Sequence, residues 1–150
     1  LDKKVLLAAE EDTIVNILDQ SGVHTDKYNF TTDFKECEAD GLSIYVKRES
    51  HATDMLCCGF IFECNGEKIY YSGDTSNVPS DILNAFLSGE IKTMYQECTF
   101  LDTDSTSHYS LKKLCEIIPY EERQRVYCMH LGDDIEDDIV KAGFRVPKVV

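Results

Sequence analysis

The chain reads as a mixed α/β layer structure, with strands and helices stacked around one core. Three observations predict this. The second half alternates strand, helix, strand, helix, strand, helix. The first half is richer in strands, two of them flanking Asn65-Gly66-Glu67 as a hairpin would. The 150 residues, 43% hydrophobic, suffice for a single sizeable core.

In chain order, residues 4–9 (KVLLAA) form a short strand. EDTIVNILDQSG carries apolar residues at 14, 15, 17 and 18, a helical spacing stopped by Gly22. Residues 42–50 (LSIYVKRES) alternate as a strand, and LCCGFIFEC pairs with KIYYSG. Pro79 opens a helix that runs to about Leu87. KTMYQEC is a strand, SLKKLCEII a short helix stopped by Pro119, and PYEERQ one further turn. RVYCMHL is a strand, DDIEDDIVKAGF a helix and FRVPKVV a last strand or tail. No repeat, low-complexity tract or Pro/Gly-rich linker divides the chain, so residues 1–150 read as one domain or a piece of one.

The net charge of −13 argues against broad electrostatic capture of nucleic acid, which needs Lys and Arg to displace counterions. Part of that charge lies in Gly132 to Asp138 (GDDIEDD). Its ordinary role is a solvated helix start, with carboxylates at the positive end of the dipole; metal loading is the alternative. Seven Cys are present, with Cys57, Cys58, Cys64, Cys98 and Cys128 in apolar strand contexts. Without a C-x-x-C pair they read as reduced, buried core residues of a cytoplasmic protein. No apolar run is long enough for a membrane span and no leader reads as a signal peptide. The first residue, Leu1, suggests truncation or processing.

The chemistry centres on Lys68 to Ser76 (KIYYSGDTS), where an aromatic strand runs into Gly73-Asp74-Thr75. Alone, Asp74 reads as a turn aspartate capping the next helix. His51, just past a strand, and His130, at the end of RVYCMH, change that. Two imidazoles and a carboxylate at strand ends could converge on one rim of the sheet, a mixed N/O set that divalent metals accept. His24 lies in a polar loop and reads as structural. His108, in the loop TDSTSHYS before a helix capped by Ser107 or Ser110, has the chemistry of a mobile proton donor. Glu97, at the end of a buried strand, is a natural partner to orient it.

Taken in order, His51 with Gly59-Phe60, Ser72 to Thr75, Gln96 to Phe100, His108-Tyr109-Ser110 and Met129-His130-Leu131 form a pattern. It resembles the second half of the metallo-β-lactamase fold, most of all its ribonuclease Z-type branch of metal-dependent phosphodiesterases. The resemblance runs from about Lys4 to Val146. It implies half of an αββα sandwich: a mixed sheet with helices on one face. It also implies that His51 ligates one metal, Asp74 bridges two, and His130 ligates the second. The implied cofactors are two divalent ions, Zn or Mn, which lower the pKa of a water and offset charge on a phosphate. His108, held by Glu97, would protonate the leaving group.

Three departures matter. The family's His-x-His-x-Asp-His, which supplies four ligands, is absent from residues 1–50, where His24 is the single His. Gln96 replaces the family's usual His, weakening the expected pairing of Glu97 with His108, and His108 is followed by Tyr-Ser instead of Ser-Thr. The chain therefore looks like the C-terminal part of the domain, its N-terminal half absent. Three ligands are too few for a tight two-metal centre, so weak metal binding and no catalysis are expected of this chain alone. The intact parent is expected to cleave a phosphodiester or another ester. A second reading, from a different class, is a non-catalytic assembly domain that pairs with the missing half, a partner chain or itself through an exposed sheet face.

Overall fold

The computed structural model describes residues 5–8, 11–31, 37–39, 41–51, 57–102, 107–131 and 134–148. Two parallel strands, β1 (Val5–Ala8) and β2 (Tyr28–Thr31), flank the helix α1 (Glu11–Gln20) and form a small sheet. The main sheet has six strands in sequence order. These are β3 (Cys37–Ala39), β4 (Leu42–Glu49), β5 (Cys57–Cys64), β6 (Glu67–Tyr71), β7 (Ile91–Glu97) and β8 (Val126–Met129). Strands β3 to β6 run antiparallel to their neighbours, and β6, β7 and β8 run parallel.

Local sequence explains the switch. Asn65 and Gly66 have φ of 54° and 77°, the doubly left-handed turn that closes a two-residue hairpin and pairs Cys64 with Glu67. Parallel strands cannot be joined so tightly and need crossovers. The helices α2 (Ser80–Leu87), between β6 and β7, and α3 (Leu111–Ile117), between β7 and β8, supply them. Ser110 caps α3, its hydroxyl accepting the Lys113 N–H. A last helix, α4 (Glu136–Lys141), begins later than expected; Glu136, Asp137 and Asp138 fill its first turn, where carboxylates oppose the dipole. PYEERQ falls in a 3-10 helix, Tyr120–Arg125. Of the expected last strand or tail, the described residues give a single bridge between Arg145 and Tyr127, with Pro147, which has no N–H, shortly beyond.

Alternation along the strands separates two faces. Tyr70, Met94, Val126 and Cys128 point to the inner face and pack with Ile82 and Phe86 of α2, Leu114 of α3, Ile139 of α4 and Phe144. On the outer face the register aligns Val46, Phe60, Tyr71, Tyr95 and Tyr127 across five strands, with Ile44, Phe62 and Ile69 beside them. Tyr95 and Tyr127 stack at 4.9 Å, while Ile69 and Tyr71 remain 38% and 40% exposed. Helices on one face of a mixed sheet is the expected architecture.

The cysteines divide. Cys98 and Cys128 are buried as expected, but Cys57, Cys58 and Cys115 are half-buried and Cys64 is exposed. Cys64 ends β5 at the tip of the hairpin, where Asn65, Gly66 and Glu67 are exposed with it. Among the described residues no helix is long and apolar enough to cross a membrane.

Candidate metal centre

Strand direction assembles the site. Because β4 and β6 are each antiparallel to β5, β4 runs the same way as β6, β7 and β8. His51 follows the end of β4, Asp74 the end of β6 and His130 the end of β8, while Glu97 is the last residue of β7. All four therefore sit on one rim of the sheet, at carboxyl ends of strands, where open α/β sheets bind ligands.

The turn carrying Asp74 is locked to β7. The Ser72 N–H donates to the Tyr95 carbonyl at 2.9 Å, and the Ser72 hydroxyl accepts the Glu97 N–H at 2.9 Å. Gly73 has φ of 60°, and a Cβ there would lie 2.5 Å from the Cys58 carbonyl oxygen, so no other residue fits. The Thr75 N–H donates to Oε2 of Glu97.

Glu97 is 1% exposed, and two imidazoles face its other oxygen. His108 Nδ1 contacts Oε1, and His130 Nδ1 lies 3.4 Å from the same atom. His130 Nδ1 is also 2.9 Å from Asp74 Oδ1. His130 has φ of 56°, a left-handed conformation that aims its ring as the chain leaves β8. The His51 ring lies 4.9 Å from that of His108, which lies 5.5 Å from that of His130. The Ser107 carbonyl, which can only accept, sits 2.7 Å from His51 Nδ1. That fixes the proton on Nδ1 and leaves Nε2 as the ligand lone pair.

The five residues singled out as candidates therefore meet, in two trios. Asp74, Glu97 and His130 form one, and His51, Glu97 and His108 the other, the potential ligand atoms of each lying within 4.8 Å of one another. His51 faces Glu97 and His108 and shares no trio with Asp74. The donors are imidazole nitrogens and carboxylate oxygens, the set that zinc and similar divalent ions take, so the residues fit such an ion. His24 is exposed at the start of a short 3-10 helix and joins neither trio, nor, among the described residues, does any residue of the acidic run.

Gln96 does not disturb the pairing of Glu97 with His108. Strand alternation turns it to the other face, where it is buried and its amide N and O find no partner among the described residues. Two structural roles escape a reading of the sequence. Ser72 is the bracket described above. Glu49 lies beneath the Asp74 turn, accepting from the Tyr70 hydroxyl at 2.6 Å and from Thr75 Oγ1 at 3.3 Å. Burial raises the Glu49 carboxyl above the usual range, partly offset by those hydrogen bonds. An acidic residue on the inward register of β4 is its one sequence signal, visible once the register is known.

Comparison with known proteins agrees with this architecture. The metallo-β-lactamase fold protein YhfI from Bacillus subtilis superposes with a TM-score of 0.68 at 15% identity, covering 99% of this chain and 63% of that one. Zn(2+)-bound PqqB from Methylobacterium extorquens gives 0.66 at 12% identity, covering 96% of this chain and 62% of that one. The fold is thus that of the metallo-β-lactamases. In sequence, the anti-Pycsar protein Apyc1 of Bacillus phage BSP38 is 31% identical over 108 residues, 69% of this chain and 39% of that protein. The chain thus spans about two fifths of that relative's length. Residues 10–146 match the family model described as Anti-Pycsar protein Apyc1, and with 137 of 150 residues matched the chain belongs to that family.

Proposed function

We propose that the protein represented by this chain is a metal-dependent hydrolase that cleaves a phosphodiester, and that it shares the anti-Pycsar role named for its relatives. The observation that carries the reading is the buried Glu97 carboxylate, braced by Thr75 and faced by His108 and His130. A structural carboxylate needs no such pair of imidazoles. Asp74 and His130 would serve one ion and His51 another, each in a group of potential ligand atoms that also includes Glu97. Divalent ions held there would lower the pKa of a water and offset charge developing on phosphoryl oxygens.

The remaining roles belong to side chains. Glu97 accepts from His108 Nδ1 and so orients the ring, leaving Nε2 to carry a proton to the departing oxygen. His108 is 38% exposed, so it can exchange that proton with solvent. The net charge of −13 disfavours a long polyanion and favours a small phosphodiester. The His-x-His-x-Asp-His ligands are not in residues 1–150, so this chain alone is expected to turn over little. The test is turnover of a generic phosphodiester by a full-length protein containing this chain. His108→Ala should lower it by roughly 10²–10⁴-fold; undiminished turnover would refute the role given to His108.

The outer sheet face supports a second reading, that the domain also serves assembly. Ile69 and Tyr71 stand exposed among aromatic neighbours on a face that the core helices do not cover. The occupant we favour is the stretch that the relatives carry beyond the matched region. Size-exclusion chromatography tests it: self-association of the chain, relieved by Ile69→Lys with Tyr71→Lys, supports the reading, and a monomer with no tendency to associate counts against it.

A further inference from the structure

We infer that Glu97 is itself a metal ligand, completing with Asp74 and His130 a three-ligand site that lets this chain hold one divalent ion alone. The inference rests on the metal-centre reading above and goes beyond it, because that reading gives Glu97 only the task of orienting His108.

Separation supports it first. His130 Nδ1 lies 2.9 Å from Asp74 Oδ1 and 3.4 Å from Glu97 Oε1. Zinc binds nitrogen and oxygen at about 2.0–2.2 Å, so the edges of its tetrahedron are about 3.3–3.6 Å. The observed separations lie close to that edge, and a small outward movement of Asp74, which is half exposed, would match it.

Charge is the second argument. A carboxylate that is 1% exposed needs a positive partner. Among the described residues no Lys or Arg pairs with Glu97, and its ion-pair partners are the imidazoles of His108 and His130. Asp74 adds a second carboxylate against the same His130 nitrogen. A divalent cation between them would offset both carboxylates at once.

The division of labour within Glu97 is the third. Oε2 is committed to the Thr75 N–H, which holds the carboxylate plane still. Oε1 keeps more than one lone-pair direction and faces both imidazoles. It can meet an ion on the His130 side while staying against His108. Three protein ligands with an open fourth position is the usual form of a catalytic zinc site.

The test uses the 150-residue chain, with zinc and cobalt(II) as the probes. Calorimetry should find one ion per chain, and cobalt should give the visible absorption of a four-coordinate centre. Glu97→Gln keeps an acceptor for Thr75 and should weaken binding by more than about 100-fold, beyond the 10–100-fold cost of losing a residue behind the ligands. Asp74→Asn should do the same, and His108→Ala should weaken it by less than about tenfold. Should Glu97→Gln unfold, the wild-type chain still decides: on adding zinc, the Glu97 carboxyl ¹³C and His130 Nδ1 ¹⁵N resonances should both shift. No stoichiometric ion, a Glu97 carboxyl that does not respond, or zinc on His130 Nε2 would overturn the inference. None of these results would touch the hydrolase reading, which depends on full-length turnover and on His108.

Discussion

The Thr75 N–H donates to the Glu97 carboxylate, while the Ser72 hydroxyl accepts the Glu97 N–H at 2.9 Å. The Asp74 turn and the end of β7 thus grip each other from both sides. This reciprocal contact sets Asp74 against Glu97, which is what preorganisation of a site requires.

Ser72→Ala removes one side of that grip. Ser72 is fully buried, so the Glu97 N–H would lose its acceptor with no water to replace it. We expect a loss of about 1–3 kcal/mol, read as a lower urea midpoint with an unchanged m-value.

Gly73→Ala should be worse. The new methyl group would meet the Cys58 carbonyl at 2.5 Å, and the residue would still have to hold φ of 60°. Left-handed strain and overpacking together should cost at least about 2 kcal/mol in thermal or urea unfolding. A stability equal to wild type would show that the turn relaxes in solution.

The Lys47–Asp81 pair joins β4 to α2 at 2.8 Å. The Lys47 ammonium, through its hydrogen bond, holds the Asp81 carboxyl below its usual range. For a depressed carboxyl, stability is present above the unfolded-state pKa and is lost as pH falls through the folded value. Both side chains are well exposed, so Asp81→Asn should cost only about 0.2–0.5 kcal/mol at pH 7 and nothing near pH 2. A cost that persists in acid, measured by urea unfolding across pH, would trace to helix capping and not to the ion pair.

Thiol chemistry offers an independent check on the fold. Cys64 is exposed, whereas Cys98 and Cys128 are buried. A hydrogen bond with Cys98, reinforced by burial, pushes the Cys128 thiol well above its ordinary range. Alkylation followed by peptide mass spectrometry should modify Cys64 first. Cys98 and Cys128 should lag by roughly 10²-fold or more, until denaturant is added. Equal rates at all three would contradict the buried core described here.

Much of this arrangement was readable in advance because local chemistry is explicit there. Asn65-Gly66 announces a two-residue hairpin, and Gly73 next to Asp74 announces a sharp turn bearing a carboxylate. Alternation in residues 42–50 and apolar or aromatic runs before Asp74, Glu97 and His130 mark strands, so the rim could be anticipated. What escaped depends on pairing. β2 and β3 have four and three residues, too few for a periodic signal against the polar residues around them. Glu49 became part of the site floor only through the inward register of β4 against β5. Cys64 reads as a core residue by composition and is exposed because it falls at a hairpin tip. His130 in a left-handed conformation has no local marker, since side chains other than Gly rarely announce it.

The shared direction of β4, β6, β7 and β8 has an evolutionary reading. His51, Asp74, Glu97 and His130 each sit at or just past a strand terminus whose spacing the backbone ladder dictates, while the loops beyond are free to lengthen, shorten or change composition. A lineage under pressure to meet new targets could therefore remodel those loops and leave the donor spacing intact. In such a scaffold, selectivity and reactivity are traits that can drift apart.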